Sequence, residues 1–468
     1  MMAGVETGNV MDTSVEMKTS GAKAGAAFEP RIVAFLCKWC TYAGADLAGT
    51  SRMTYPANVR ALMLPCTGRI DVSFVLRAFL QGADGVLVSG CHPGDCHYTA
   101  GNYRARRRWI LFRDLLDVIG FDLRRFDLAW ISAAEGAKFV KTIQTFTDKI
   151  KGLGPYEAMH KVAQNHTPAA VPDAIQEVLK GNGHQHELKP ASPELIAAAT
   201  EALKSGKVKA IVGWAKNWTL LKPRPIWIID AAEAPALLQP ADHPANLARF
   251  LKNSQLRAFS PVGIVARRSE MMALNVLLQE EHVDPASIVV LAIGEDGKFL
   301  GTMDLDGGSK ALVTPMAGCL PANRVAGFSE ETLKQLDELM ARTPDERWAF
   351  WSAQFSGCIK CYACRGSCPL CTCEQCFADR NQPQWFPTAA DGPGNLAWHI
   401  MRAFHLAGRC VGCGACQEAC PAGIPLNILG AALARSALKN FEHRAGVDPK
   451  AVPLQSDFRS NDKENFIL

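Results

Sequence analysis

The chain has 468 residues, of which 48% are hydrophobic and 21% are charged, and its formal net charge is +4. The length suits about two to four domains, and the composition is that of an ordinary globular protein. So small a charge argues against nucleic acid or a membrane surface as the partner. No run approaches the roughly 18 apolar residues of a membrane span, so we expect a protein that is not embedded in a membrane.

Seventeen cysteines are the most informative feature of the composition. In a chain that reads as intracellular, this number favours metal ligation over disulfide bonds. Residues 1–27 lack the apolar core of a signal peptide, and we predict a disordered leader there. The expected setting is a reducing cytoplasm.

Residues 28–155 have the pattern of an α/β domain, in which short apolar runs alternate with helical stretches. Each apolar run suits a strand buried on both faces, and the alternation predicts a parallel sheet with right-handed crossovers, of flavodoxin-like character. The strands are predicted at 32–36, 59–64, 85–88 and 128–131, and the helices at 72–81, 103–118 and 138–151.

Five cysteines of this domain follow the predicted strands. The pair Cys37 and Cys40 follows the first strand, Cys66 follows the second, and Cys91 and Cys96 follow the third. Because residues just past the ends of parallel strands share one edge of the sheet, we expect these thiols to converge on one crevice. Four of the five would ligate an iron–sulfur cluster. A small site with scattered ligands favours 2Fe-2S, although four thiolates also suit 4Fe-4S.

An alternative interpretation concerns Cys37-x2-Cys40 alone, which has the spacing of a thioredoxin-like redox motif. The other three cysteines at matching strand ends favour the cluster over this interpretation.

The same segments carry a resemblance to a known family. The stretches CKWCTYAGADLAG (37–49), YPANVR (55–60), GCHPGDCH (90–97) and GNY (101–103) resemble the delta subunit of methyl-viologen-reducing hydrogenase, over about residues 28–155. The resemblance implies a 2Fe-2S cluster and electron transfer to the flavin subunit of heterodisulfide reductase, where flavin-based electron bifurcation occurs. It also implies an anaerobic setting and a hetero-oligomeric complex.

A basic run opens the helix that follows this cysteine edge. Such charge runs usually form a solvated helix face, and the alternative is a docking patch for an acidic redox partner. The run consists of Arg104, Arg106, Arg107 and Arg108.

Residues 156–190 are predicted to be an interdomain linker, and residues 191–345 a second α/β domain. This domain begins with a helix capped by Ser192 and has no dinucleotide-binding or P-loop motif. With PVGIVAR at 261–267 and the later cysteines, it resembles the beta subunits of formate dehydrogenase and of deazaflavin-coenzyme-reducing hydrogenase. Several members of that family bind FAD, although no segment here requires it. The strands are predicted at 208–214, 226–229, 263–266 and 288–293, and the helices at 245–251 and 270–280.

Residues 346–445 contain two runs of the form C-x2-C-x2-C-x3-C-P, at 358–369 and 410–421. This run ligates 4Fe-4S clusters in bacterial-type ferredoxins, where three cysteines hold one cluster and the fourth completes its neighbour. We therefore predict a ferredoxin-like dicluster module. The alternative of two zinc ribbons does not explain the third cysteine or the Cys-Pro ending of each run. The predicted ligand sets are Cys358, Cys361, Cys364 and Cys420 for one cluster, and Cys410, Cys413, Cys416 and Cys368 for the other.

Four cysteines remain after this assignment. They are predicted to hold a third 4Fe-4S cluster, with a zinc site or free thiols as the alternatives. Residues 398–407 are expected to cover the clusters, residues 424–441 to form a helix, and residues 446–468 to be a loose polar tail. The remaining cysteines are Cys319, Cys371, Cys373 and Cys376.

The motifs together favour an electron-transfer subunit without chemistry of its own, since no nucleophile–base pair stands out. It would relay electrons between a second redox subunit, such as a hydrogenase or formate dehydrogenase, and a heterodisulfide-reductase-like flavoprotein in a bifurcating or confurcating complex. One alternative is an FAD-containing beta subunit that uses formate-derived electrons, a deazaflavin coenzyme or NAD(P)H. Others are an electron-transfer subunit of an aromatic-ring-reducing complex of the benzoyl-CoA reductase type, and a structural zinc protein.

Overall fold

A computed structural model describes most of the chain. The described residues are 28–168, 188–216, 223–240, 245–305, 325, 327–380, 382, 384, 387–448 and 450–468. No helix in these ranges combines the length and the apolar character that crossing a membrane would require.

The first sheet is parallel and has the strand order β2-β1-β3-β4. Its register pairs Cys37 with Leu64, and Gly90 with Trp130, so that the carboxyl ends of neighbouring strands lie level with one another. This is the order in which flavodoxin-like sheets begin, which confirms the predicted parallel sheet. Its strands are β1 Ile32–Cys37, β2 Val59–Leu64, β3 Gly85–Gly90 and β4 Phe126–Trp130.

The three predicted helices of this domain are present and begin within two residues of their predicted starts, and the helix at Ala43–Thr50 was not predicted. Asp71 caps the second helix by accepting a hydrogen bond from the Ser73 amide at 2.9 Å, and Gly120 ends the third in a left-handed conformation with φ of 83°. A π-helical turn at Lys38–Tyr42 joins β1 to the first helix. The helices are α1 Ala43–Thr50, α2 Val72–Leu80, α3 Gly101–Ile119 and α4 Gly136–Leu153.

A second sheet contains the four predicted strands of the middle region and three that were not predicted. Its parallel centre is extended by antiparallel strands, in the order β11-β10-β9-β6-β8-β5 with β7 also paired to β6. The missed strands β5 and β8 have three residues and end in proline, which leaves too short a pattern to recognise. The strands are β5 Leu188–Pro190, β6 Ala210–Lys216, β7 Pro223–Ile228, β8 Leu238–Pro240, β9 Val262–Ala266, β10 Ile288–Ile293 and β11 Phe299–Asp304.

Helices make up most of the remaining described chain. Ser192 caps the first helix of the middle region by accepting from the Leu195 amide, as predicted. The helices are α5 Glu157–Gln164, α6 Pro193–Lys204, α7 Ser254–Arg257, α8 Arg268–Gln279, α9 Glu330–Met340, α10 Pro344–Ser356, α11 Ala363–Ser367, α12 Gly392–His405, α13 Ala415–Glu418 and α14 Leu426–Phe441. Short 3-10 turns lie at Thr67–Arg69, Leu123–Arg125, Ala231–Ala236, Leu247–Lys252, Pro285–Ser287, Phe377–Asp379 and Leu454–Ser456.

The C-terminal helices pack directly on the first domain. The Trp351 indole in α10 donates to the Val118 carbonyl oxygen at 3.1 Å, and the Phe404 ring in α12 lies 5.7 Å from that of Phe112 in α3. One hydrophobic core therefore runs through both units. Such packing holds the cysteines of the two units at a fixed separation.

The predicted linker is wrong for its first residues. Helix α5 packs against α2 and α12, Tyr156 before it is buried, and the Gly392 amide donates to the Asn165 carbonyl oxygen at 3.0 Å. The packing comes from Met159 on this helix and from Tyr156 just before it, two side chains that the surrounding polar composition obscured. Residues 169–187 of the predicted linker lie outside the described residues.

The prediction of a loose C-terminal tail is also wrong. The Leu468 amide donates to the Leu128 carbonyl oxygen at 2.8 Å, so the segment pairs with the free edge of β4. Arg107 holds Asp462 through two hydrogen bonds of 3.0 and 3.1 Å, and both side chains are 3% exposed. Arg106 donates to Glu464. These two arginines therefore belong neither to a solvated face nor to an open docking patch, because their partners lie in the same chain.

Candidate metal centres

The carboxyl edge of the first sheet gathers the five cysteines that the sequence places after its strands. All five side chains are buried, between 1% and 8% exposed, and they form a cluster of their own. The strands bring them together because their carboxyl ends are level, so chain segments far apart in sequence emerge side by side. The cluster consists of Cys37, Cys40, Cys66, Cys91 and Cys96.

Within this cluster the thiols divide into two groups. The thiol trio, Cys37, Cys40 and Cys91, has all its sulfur atoms within 4.8 Å of one another, and the sulfurs of Cys37 and Cys91 are 3.9 Å apart. The thiol pair, Cys66 and Cys96, has a sulfur separation of 3.7 Å. Metal–thiolate bonds of about 2.3 Å in a tetrahedron separate two sulfurs by about 3.8 Å. Each group therefore suits two thiolates on one tetrahedral iron.

Two glycines leave room beside the thiol pair. A Cβ atom on Gly101 would lie 2.4 Å from the Cys66 sulfur and 3.1 Å from the Cys96 sulfur. A Cβ atom on Gly68 would lie 2.9 Å from the Cα atom of Gly101. A side chain at Gly101 would thus push directly on the sulfurs, which explains why a helix begins with glycine here.

The thiols strongly perturb one another's ionisation. The hydrogen bond between the Cys40 and Cys37 thiols raises the pKa of Cys40 to about 12. Hydrogen bonds with Cys40 and Cys66 lower the pKa of Cys37. When one of these thiols ionises, its neighbours become harder to deprotonate. Several thiolates can therefore coexist here only around cations that compensate their charge. This donor set fits an iron–sulfur group.

An aromatic patch covers the outer side of this cluster. The Trp39 ring is 42% exposed and stacks on the His97 ring at 3.9 Å. Its indole nitrogen also lies 3.3 Å from the hydroxyl of Tyr98, which is 53% exposed. Since Trp39 and His97 directly adjoin Cys40 and Cys96 in the chain, the thiols lie just below an exposed aromatic surface.

The two C-terminal cysteine runs repeat one backbone conformation. In the second run Gly412 and Gly414 have φ of 73° and 74°, and at the equivalent positions of the first run Lys360 and Tyr362 both have φ of 57°. Residues other than glycine rarely adopt this left-handed conformation, which persists where the surroundings impose it. The two loops are therefore built to the same shape, as two equivalent cluster-binding loops would be.

Electrostatic coupling between the two runs is crosswise. Burial raises the pKa values of the first three thiols of the second run, and the charge of Cys368 in the first run raises them further, behind the charge of Cys416 in the case of Cys410. Burial, and then the charge of Cys420 in the second run, raise the pKa of Cys358. Each run thus has its fourth cysteine near the first thiols of the other run, which is the arrangement that shared ligation requires.

Arg402 of α12 lies between these thiols. Its side chain is 7% exposed, and one terminal nitrogen donates to the Cys364 carbonyl oxygen at 2.9 Å. It also hydrogen-bonds the Cys416 thiol, which lowers the pKa of Cys416 against the larger effect of burial. Its Nε atom has no hydrogen-bond partner among the described residues. A buried cation therefore stands beside both predicted ligand sets.

The four leftover cysteines are only partly accounted for. Cys371, Cys373 and Cys376 lie on one short loop and are half-buried, exposed and half-buried. Cys319, the predicted fourth member, lies outside the described residues. The ligand role of this set stays a prediction.

Sequence reasoning missed Gly101 and Arg402. Gly101 had a signal, because it lies in the GNY segment, but its contact with two sulfurs needs the folded arrangement. Arg402 had none, since a single arginine in an apolar helix is unremarkable until the helix is docked against both runs.

Comparison with known families agrees with this geometry. The family described as the delta subunit of methyl-viologen-reducing hydrogenase matches residues 32–154. A 4Fe-4S binding domain matches residues 401–422, which contain the four cysteines of the second run. The prediction of a C-terminal ferredoxin-like region is thereby confirmed.

Curated relatives match the first domain. An F420-non-reducing hydrogenase iron-sulfur subunit from Methanococcus voltae is 53% identical over 128 residues, which are 27% of this chain and 89% of that protein. The corresponding hydrogenase protein from Archaeoglobus profundus is 47% identical, over 28% of this chain and 95% of that protein. One component of a ferredoxin/F420H2-dependent CoB-CoM heterodisulfide reductase from Methanosarcina acetivorans is 48% identical over 27% of this chain, but over only 16% of its own length.

Proposed function

The chain belongs, through residues 32–154, to the family of the methyl-viologen-reducing hydrogenase delta subunit, and from this premise we propose that it relays electrons between a redox partner and a heterodisulfide-reductase-like flavoprotein. The observation that carries the proposal is the burial of five thiols at one edge of the parallel sheet. The two cysteine runs of the C-terminal unit provide a second set of thiols, and this unit packs on the same domain. Both ends of a relay are thus present in one chain.

At the first domain we assign the ligands to a 2Fe-2S cluster. The thiol pair would hold one iron, and two members of the thiol trio the other, which makes the spare thiol one of Cys37, Cys40 and Cys91. The two short sulfur separations support this division. When bound, the cluster would supply a one-electron carrier. Gly101 keeps space open beside the sulfurs, and the Asn102 amide ties the loop by donating to the Cys91 carbonyl oxygen at 3.2 Å.

At the C-terminal unit we assign two 4Fe-4S clusters to the crossed ligand sets. The crosswise coupling of Cys368 and Cys420 supports this assignment. Arg402 would compensate the negative charge of the thiolates, and Asn395 would fix the first loop, since its amide donates to the Cys358 carbonyl oxygen at 2.8 Å. In this proposal the modules are 28–155, 191–345 and 346–445.

The proposed partner is a flavoprotein resembling the flavin subunit of heterodisulfide reductase. Residues similar to the first domain form nearly all of the hydrogenase iron-sulfur proteins, but only 16% of the Methanosarcina acetivorans reductase component. In the larger protein, covalent linkage holds this domain next to the rest of the reductase component. Where the domain is a separate protein, we expect it to contact the same kind of partner. The exposed aromatic patch of Trp39, His97 and Tyr98 is the face through which we expect electrons to leave.

The complex would carry out electron bifurcation or confurcation in an anaerobic cytoplasm, with a hydrogenase or formate dehydrogenase as the second redox component. The alternative roles gain no specific support from the geometry of either cysteine-rich unit. The relay is therefore the function that these sites support best.

The test is electron transfer to the isolated flavoprotein. The anaerobically purified chain is reduced and mixed with the flavin subunit of a heterodisulfide reductase, and flavin reduction is followed by absorbance. We expect rapid transfer from the wild type and at least a tenfold loss for Cys66→Ser, with the cubane EPR signals retained. Equal rates for the two proteins would contradict the proposal.

A further inference from the structure

A cleft between the first domain and the C-terminal unit contains the three loop cysteines that the relay does not use. It has a volume of about 410 Å³. One wall comes from the segment after Cys66, with Arg69, Asp71 and Phe74, and the opposite wall comes from α12. The loop cysteines, which are Cys371, Cys373 and Cys376, line the space between them.

We propose that this cleft binds a third 4Fe-4S cluster through Cys371, Cys373 and Cys376, and that this cluster stands between the two ends of the relay. The proposal deepens the proposed function and rests on it. The three thiols follow one another as C-x-C-x2-C, so a short loop can present all of them to one object in the cleft.

The spacing of the thiols distinguishes a cluster from a zinc ion. Among the described residues, the thiol trio of the first domain is the group of three or more cysteines whose sulfurs all lie within 4.8 Å of one another, and the three loop cysteines do not form such a group. A single tetrahedral ion requires sulfurs about 3.8 Å apart. A cubane takes each thiolate on a different iron atom, so it accepts the wider spacing.

The size of the cleft leads to the same conclusion. A volume of about 410 Å³ is more than ten times the share of one water molecule, which is about 30 Å³ in the liquid. One zinc ion would leave most of this space unfilled, whereas a cluster with its sulfur atoms occupies a substantial part of it.

The charge of the cleft suits an anion with thiolate ligands. Five arginines line it, against the single carboxylate of Asp71, and although two of them are paired with carboxylates outside the cleft, Arg365 with Asp379 and Arg409 with Glu280, the lining stays positive. Arg402 is nine-tenths buried and its Nε atom has no partner among the described residues. Lys252 approaches from outside and donates to the Cys371 carbonyl oxygen at 2.6 Å. The five arginines are Arg69, Arg365, Arg380, Arg402 and Arg409.

The position of the cleft gives the cluster its role. Arg69 follows Cys66 of the first domain by three residues, and Arg402 contacts both Cys364 and Cys416 of the C-terminal unit. An electron carrier in the cleft would therefore stand between the segment that follows the thiol pair and the helix that contacts both C-terminal runs. His405 and Asp71 also line the cleft, and either can supply a ligand other than cysteine to the fourth iron.

The experiment is iron and zinc analysis of the anaerobically purified full chain, together with EPR of the reduced protein. We expect about fourteen irons per chain and no zinc, from one 2Fe-2S and three 4Fe-4S clusters. The triple variant Cys371→Ser, Cys373→Ser and Cys376→Ser should lose about four irons and keep the signals of the other clusters. Glu374→Gln, at an exposed position on the same loop that does not line the cleft, should lose none.

Three outcomes would overturn the proposal. About ten irons in the wild type, unchanged in the triple variant, would leave the relay intact and remove the third cluster. One zinc lost with the triple variant would assign the loop to zinc. No iron in the wild type would contradict the relay itself. Because the triple variant can fail to fold, Cys373→Ser at the exposed thiol serves as the milder variant, and it should lose iron while keeping the circular dichroism of the wild type.

Discussion

Replacing Arg402 by methionine should lower the reduction potentials of the C-terminal clusters. The guanidinium is buried between the two predicted ligand sets, and a positive charge there stabilises the reduced, more negative state of each cluster. At an effective dielectric constant of about 20 and a separation of about 6 Å, one charge contributes about 3 kcal/mol. At about 2.3 kcal/mol per 100 mV for one charge, this corresponds to a shift of roughly 100 mV.

The assay is an EPR-monitored redox titration of the anaerobically purified protein. Arg402→Lys keeps the positive charge, so the reduction potentials of the C-terminal clusters should stay close to those of the wild type, although part of the hydrogen bonding is lost. Arg435→Met, which removes an arginine paired with Asp337 on the surface of the same unit, is the matched control and should change nothing. Unchanged potentials in Arg402→Met with both cubane signals present would refute the reasoning.

Three further substitutions test the rest of the account. Cys66→Ala should abolish the EPR signal of the first domain and leave the cubane signals. Among the three alanine variants of the thiol trio, the one at the spare thiol should leave every signal unchanged. A first-domain signal that survives in Cys66→Ala would contradict the assigned ligands. Gly101→Ala places a Cβ atom 2.4 Å from a thiol and should also abolish that signal, while Gly152→Ala, with no atom within 4 Å, should keep it. Arg107→Ala strands a buried carboxylate in the C-terminal segment and should cost about 3–5 kcal/mol in chemical denaturation; Arg104→Ala at an exposed position should cost less than about 0.5 kcal/mol, and equal losses would count against the buried pair.

The gathering of five thiols at one edge of the first sheet was predictable from the sequence, because a residue that directly follows a strand lies at the end of that strand. Once the strands before Cys37, Cys66 and Cys91 are recognised, a parallel sheet leaves only one edge for all three. The crossed ligand sets were also predicted from spacing alone. In each C-terminal run, local geometry decides which three thiols can reach one cluster and which thiol is left for the neighbouring cluster. The division into a trio and a pair did not follow, because it depends on side-chain directions within the crevice.

What escaped prediction depends on contacts between distant parts of the chain. Arg107 and Asp462 are 355 residues apart, and nothing in either local pattern marks them as partners. The run of arginines resembles an exposed face until the C-terminal segment is docked on α3. Helix α5 was hidden in the same way, because its burial comes from α2 and α12 rather than from its own composition.

Mössbauer spectroscopy of the ⁵⁷Fe-enriched chain tests the central claim most directly. The account predicts a two-iron spectrum from the first domain together with cubane spectra from the C-terminal unit, in which cubane iron exceeds two-iron-cluster iron by a factor of at least about four. A spectrum without the two-iron component, or a chain that holds zinc in place of iron, would contradict it.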